Sequence, residues 1–443
     1  MENNIKPIKV EVDTLGTPKI KSPLPFESFV CKKKEVLIQI TEDMVEDYSE
    51  KDKYYIFEEA CPSEKIYFDP SKTKCAIVTC GGLCPGINDV IRAIVMEAYH
   101  QYKVSSILGI RYGLQGFIPD YGHPVVELTP DVVASIHEFG GTILGSSRGP
   151  QPPEDIVDAL ERMNINILFL IGGDGTMKAA SEIWEEVKKR NLKISIVGIP
   201  KTIDNDIYFV SKTFGFDTAV SKAIEAIRCA HTEAIGAPNG IGMVKLMGRE
   251  SGFIAAEATL AMKEVNFLLI PEAPFKLYGP DGFLEHLKRR ILSRGHAVIV
   301  VAEGAGQDIY RKEMNLEGKE VPKDPSGNPI LGDICGLLIK KIKEFFKENG
   351  IPINLKFIDP SYIIRSVPAN ATDRVYCGLL GQNAVHGAMA GKTNMVVTKI
   401  QERYVYIPLS FVTKKRRKLN TKSNYWRAVL ESTGQPLSMF KNI

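Results

Sequence analysis

The chain has 443 residues, 44% of them hydrophobic, enough to bury a sizeable core and by length to divide into two or three domains. Its 56 basic and 53 acidic side chains leave a formal charge of +3, which rules out a general electrostatic attraction to nucleic acid, so any affinity for phosphate has to be local. The eight cysteines show no Cys-x-x-Cys pair and no His at zinc-ligand spacing, which speaks against a disulfide or metal framework and for a reduced chain.

The start, Met1-Glu2-Asn3-Asn4, lacks the basic-then-apolar pattern of a secretory signal, and apolar runs such as 297–302 are far too short to cross a bilayer. The expectation is a cytoplasmic protein with no membrane association. Residues 1–73 mix Pro, Lys and Glu with short apolar stretches and read as an appended extension. From Lys74 the pattern changes: 75–80 reads as a buried strand, followed by a Gly/Pro turn and a periodic helix over 88–102. The same grammar recurs as a strand over 165–171, a glycine turn, a helix over 178–189 and a strand over 194–199 that enters Pro200-Lys201-Thr202. Further strands are expected over 241–246, 267–270 and 296–301, with helices over 252–262 and 280–293 between them.

Strands alternating with helices imply α/β layers with parallel sheets. The expected architecture is two facing Rossmann-like domains with the active site in the cleft between them. One domain would span 74–215 and be completed by 373–420. The other would span 216–372, and 421–443 would form a tail.

Ligands of open parallel sheets gather beyond the carboxyl ends of the strands, where the glycine- and Asp-rich turns of this chain fall. Gly81-Gly82-Leu83-Cys84-Pro85-Gly86 lets backbone N–H groups approach an anion at a helix start. It has neither the Gly-Lys-Ser/Thr ending of a Walker loop nor dinucleotide spacing. Gly172-Gly173-Asp174-Gly175-Thr176 sets one carboxylate among glycines, suited to hold Mg²⁺ beside phosphates, although an Asp in that place can also cap the next helix. Lys201-Thr202-Ile203-Asp204-Asn205-Asp206 brings two carboxylates, a cation and a hydroxyl to a third strand end. Phosphoryl transfer to an alcohol needs a base, a metal site and cations for the transferred group, and these turns supply all three.

With Gly141-Thr142-Ile143-Leu144-Gly145-Ser146-Ser147-Arg148, Met247-Gly248-Arg249 and Glu303-Gly304 following in order, the chain resembles the 6-phosphofructokinase family from about Lys74 to about Lys392. The resemblance implies transfer from Mg-ATP to the 1-hydroxyl of fructose 6-phosphate. It makes Asp204 the base, assisted by Asp206, with Thr202 and Lys201 at the transferred group and Arg249 stabilising its charge. Asp174 would bind Mg²⁺, and Gly82, Arg148 and Gly173, Gly175 and Thr176 would cradle the nucleotide phosphates. Ile203, Met247, Gly248, Glu303 and Tyr362 would line the sugar, with Arg365 and Arg374 on its 6-phosphate, a task that suits the planar guanidinium fork. Gly240 stands where bacterial-type members carry a further arginine, so their usual inter-subunit clamp is not implied. A homo-oligomer, dimer or tetramer, is still expected.

Within the family a glycine at position 175 accompanies ATP, and an aspartate there accompanies pyrophosphate. Lys201 points the other way, being shared by pyrophosphate users and some long ATP users. The combination resembles the long ATP-dependent branch, with a pyrophosphate-dependent transferase and a non-catalytic sugar-phosphate sensor as alternatives. The basic run Lys414-Lys415-Arg416-Arg417-Lys418 admits three readings: a solvated loop, a nucleic-acid or localisation patch, or a segment folded over a phosphate. His386 is expected to be a hydrogen-bonded helix residue, Cys84 a space filler, and Tyr425 and Trp426 anchors of the tail.

Overall fold

The computed structural model describes residues 7–25, 35–39, 54–324 and 327–441. The chain divides into two compact units. The first runs to Ile203 and resumes over Ile207–Asp217 and Arg365–Arg416; the second takes Asp204–Asp206, Thr218–Ile364 and the chain from Arg417 onward.

The first unit is built on a ten-stranded sheet. At its centre run Ser106–Ile110, Lys74–Thr79, Ile167–Gly172, Ser195–Pro200 and Met395–Ile400, neighbours in that order and parallel throughout. Ile-Leu-Phe-Leu-Ile-Gly and Ser-Ile-Val-Gly-Ile-Pro are buried at every position. Such uninterrupted apolar sequence is what a strand covered on both faces requires. Arg403–Pro408 turns back antiparallel on Met395–Ile400 and pairs with Tyr54–Glu59, which in turn takes Ile8–Lys9 and Glu35–Gln39. The region read as an extension thus supplies strands to the first sheet. Tyr54–Glu59 shows the alternating burial of a half-covered strand.

The second unit holds a four-stranded parallel sheet in the order Phe267–Leu269, His296–Ala302, Gly240–Leu246, Asn354–Ile358. Its last strand is an exposed edge. Gly240 opens its strand with no room for a side chain, since a Cβ there would stand 2.0 Å from the Ala234 carbonyl oxygen. That crowding is a physical reason for the arginine missing at this position. The helix Asn424–Thr433 is capped by the Ser423 hydroxyl and buries Trp426 edge-on to Phe440, so the aromatic tail is an anchor as expected.

Six cysteines among the described residues are free, but Cys61 is disulfide-bonded, which corrects the expectation of an all-thiol chain. Among the described residues no helix is long and apolar enough to cross a membrane.

Candidate active site

Register brings the starts of three turns together in the first unit. Thr79 lies opposite Ile171, and Gly172 opposite Pro200, so the strands end flush and their turns emerge side by side. Lys74–Thr79 has the next strand in sequence, Ser106–Ile110, on one side and the later Ile167–Gly172 on the other. The first two turns therefore flank the point where strand order reverses, the usual place for a ligand in an open α/β sheet.

The first turn needs glycine at Gly86, whose φ is +99° and where a Cβ would sit 2.6 Å from Cys377 Sγ. Gly81 N–H donates to the Ser147 carbonyl (3.1 Å), and Ser146 Oγ donates to the Gly81 carbonyl (2.6 Å). Asn88 fastens the same loop from the next helix, donating to Phe139 O (3.1 Å) and accepting from Ile143 N–H (3.0 Å). Two guanidiniums converge on Gly82: a Cβ there would lie 3.6 Å from Arg148 Nη2 and 3.9 Å from Arg365 Nη1. Arg365, expected at the sugar 6-phosphate, lies in the first unit, beside this turn.

In the second turn Gly173 is the N-cap and Asp174 the first residue of the helix Asp174–Lys189, so capping is not the task of the carboxylate. Asp174 Oδ2 lies 2.9 Å from Lys178 Nζ and 3.7 Å from Arg416 Nε, and the side chain is 15% exposed. Gly172 is glycine because a Cβ would meet Thr176 Oγ1 at 2.1 Å, but a Cβ on Gly175 would meet nothing within 4 Å. Among the described residues no group of three or more His, Cys, Asp or Glu could hold a metal by itself. One half-shielded carboxylate fits Mg²⁺, which takes few protein ligands and the rest from phosphate and water.

Lys201 ties the third turn to the other two. Its N–H donates to Gly172 O (2.9 Å) and its ammonium to Gly82 O (2.6 Å). Beyond it burial alternates: Lys201, Ile203, Asn205 and Ile207 are buried, whereas Thr202, Asp204 and Asp206 are half-exposed. Thr213 Oγ1 holds the Thr202 carbonyl at 2.6 Å, and Asn205 takes the left-handed conformation that Asn tolerates (φ +55°).

In the second unit Leu246 and Ala302 are paired, so Met247-Gly248-Arg249 and Glu303-Gly304 also leave the sheet together. Glu303 N–H donates to Leu246 O (2.9 Å) and Gly304 N–H to Gly248 O (3.1 Å). The fit is tight: a Cβ on Gly304 would stand 1.9 Å from Arg249 O. Arg249 rests on Asp324 (Nη1 to Oδ2, 3.3 Å) and on the Pro329 carbonyl. Ser251 Oγ donates to the Asp204 carbonyl (3.0 Å), and Asp204 Oδ1 is shut off from solvent. Tyr362 is exposed, and Arg374, in the first unit, forms an ion pair with Glu138 at 2.9 Å.

Sequence reasoning missed Ser251, since a lone serine after Arg249 carries no pattern. His386 is the expected helix residue: Tyr102 OH is 2.8 Å from its Nδ1, and burial pushes its pKa down to about 4.

Glycine turns and carboxylates at flush ends of parallel strands define a phosphate-handling α/β protein. The family model described as phosphofructokinase matches residues 74–388. An ATP-dependent 6-phosphofructokinase of Borreliella burgdorferi is 51% identical over 97% of this chain and 97% of its own. The ATP-dependent 6-phosphofructokinase 7 of Arabidopsis thaliana is 49% identical over 86% of this chain and 77% of its own. Among solved structures, the pyrophosphate-dependent phosphofructokinase of Marinobacter aquaeolei superposes with a TM-score of 0.65 over 84% of this chain and 97% of that one, at 20% identity, a likeness of fold. The chain belongs to the phosphofructokinase family.

Proposed function

We propose that the chain is an ATP-dependent 6-phosphofructokinase, which phosphorylates fructose 6-phosphate at the 1-hydroxyl to give fructose 1,6-bisphosphate and ADP, the committed step of glycolysis. One observation carries the choice of donor: the helix start beside Asp174 is open above Gly175, leaving room for a nucleotide where a side chain would intrude. Relatives at about half identity that bear the name of ATP-dependent enzymes support it.

In this reading Asp204 takes the proton from the 1-hydroxyl, with its backbone steadied by Ser251. Asp206 and Thr202, half-exposed like Asp204, assist at the acceptor and the transferred group. Arg249, once off Asp324, offsets the developing charge. Lys201 keeps the turns in register through Gly82. Gly82, Arg148, Gly173 and Thr176 receive the donor phosphates, and Asp174 holds Mg²⁺, which supplies charge neutralisation there. Ile203, Met247, Gly248, Glu303 and Tyr362 bind the sugar, and Arg365 and Arg374 its 6-phosphate. Tyr362 and Ile363, 74% and 64% exposed, support a homo-oligomer, dimer or tetramer, and the proposed compartment is the cytoplasm.

The deciding experiment measures fructose 1,6-bisphosphate formation with Mg-ATP and with pyrophosphate, for the parent chain and Gly175→Asp. Turnover with ATP alone, abolished in the variant without a change in melting temperature, is the expected result. Turnover with pyrophosphate alone would reverse the choice of donor.

A further inference from the structure

The basic run at Lys414–Lys418 is not a solvated loop. Arg416 bridges antiparallel to Ile207, immediately after the carboxylate segment, and Arg417 N–H donates to the Asp206 carbonyl (2.8 Å). Its neighbours lie on aromatic faces: Lys414 over Phe411 (4.4 Å), Lys415 over Tyr208 (4.8 Å) and Arg417 over Phe253 (4.6 Å). Just beyond, Leu419 N–H is held by Glu272 Oε1 at 2.8 Å. The backbone of the run is therefore pinned on both sides of Arg416, whose guanidinium reaches Asp174.

We propose that Arg416 is a phosphate-contacting residue for the donor nucleotide, resting on Asp174 in the unliganded chain and turning to the phosphates when they arrive. The inference rests on the reading of Asp174 and ATP given above. A dication taken up by Asp174 would stand against a guanidinium 3.7 Å from the same carboxylate and repel it. The phosphate chain that arrives with the dication offers the compensating negative charge. A guanidinium binds phosphate through two parallel N–H bonds and keeps its charge at any working pH. Because the backbone is fixed by Ile207 and Glu272, this exchange needs only a side-chain rotation.

The test is calorimetric titration of the full chain with ADP, once in EDTA and once in Mg²⁺, for the parent, Arg416→Ala and Arg416→Lys. Arg416→Ala is expected to weaken ADP about tenfold in both conditions, as loss of a charge-assisted hydrogen bond should. Arg416→Lys should weaken it by a smaller factor. Unchanged or tighter ADP binding by Arg416→Ala overturns the proposal and leaves Arg416 a counter-ion of Asp174. If the alanine variant fails to fold, Arg416→Lys decides in the same way, with parental affinity overturning the proposal. A parent chain that binds no ADP in either condition overturns the donor reading itself, and this inference with it.

Discussion

The turns of the first unit and those of the second are built from different materials. In the first, two glycine turns and the start of a third at Lys201 leave buried parallel strands and are fastened by main-chain bonds and one lysine. In the second, the turns are placed by a smaller sheet with an exposed edge strand and are held by remote side chains, Ser251 on the Asp204 carbonyl and Asp324 on Arg249. A site made of backbone tolerates the loss of single side chains around it. A site made of side chains does not.

The strongest test of that contrast is Asp204→Ser. It should lower kcat by about two to four orders of magnitude, the usual worth of a positioned general base, while fructose 6-phosphate binding stays near normal. Near-normal turnover would remove Asp204 from the chemistry.

The two sheets can be compared directly. Leu170, fully buried in the central strand of the first, should cost about 2–5 kcal/mol when truncated to alanine. Phe357, 42% exposed on the edge strand of the second, should cost no more than about 0.5 kcal/mol. Denaturant unfolding of both variants checks the difference, and equal costs would end the comparison.

Glu272 gives the second unit a pH dependence. Burial pushes its carboxyl up from 4.5 to about 7, against the N–H bonds from Leu419 and Gly252 that pull it down. The folded chain keeps this proton where the unfolded chain has lost it, so stability falls as pH climbs from about 4.5 to about 7 and stays lower above. Melting curves of Glu272→Gln should match the parent at pH 4 and lie above it at pH 8; parallel curves would refute the assignment.

A small effect of opposite sign is expected at Gly175. Since a Cβ there meets open space inside the helix Asp174–Lys189, Gly175→Ala should raise stability by about 0.5–1 kcal/mol in thermal unfolding.

Much of the first unit was legible because continuous apolar runs such as Leu168 to Ile171 have few ways to be buried, and glycine turns at strand ends announce themselves. The turn containing Met247, Gly248 and Arg249 was legible as a block, but its support was not. That Arg249 rests on Asp324, 75 residues away, or that Arg416 meets Asp174, depends on long-range pairing that no local pattern encodes. A cap such as Ser423 bonds within its own turn of chain, three residues on; the partner of a charged side chain lies far away in sequence.

The place of Met395–Ile400 in the first sheet, between Ser195–Pro200 and Arg403–Pro408, sets a timetable for biosynthesis. Chains emerge from the ribosome amino end first and tend to fold in the same order. Here the strand that precedes Lys201 must wait, one edge unpaired, until some two hundred residues more have been made, and unpaired edges invite association with other chains. Nascent chains halted near residue 390 should therefore be caught by chaperones or aggregate, whereas those released beyond residue 408 should not.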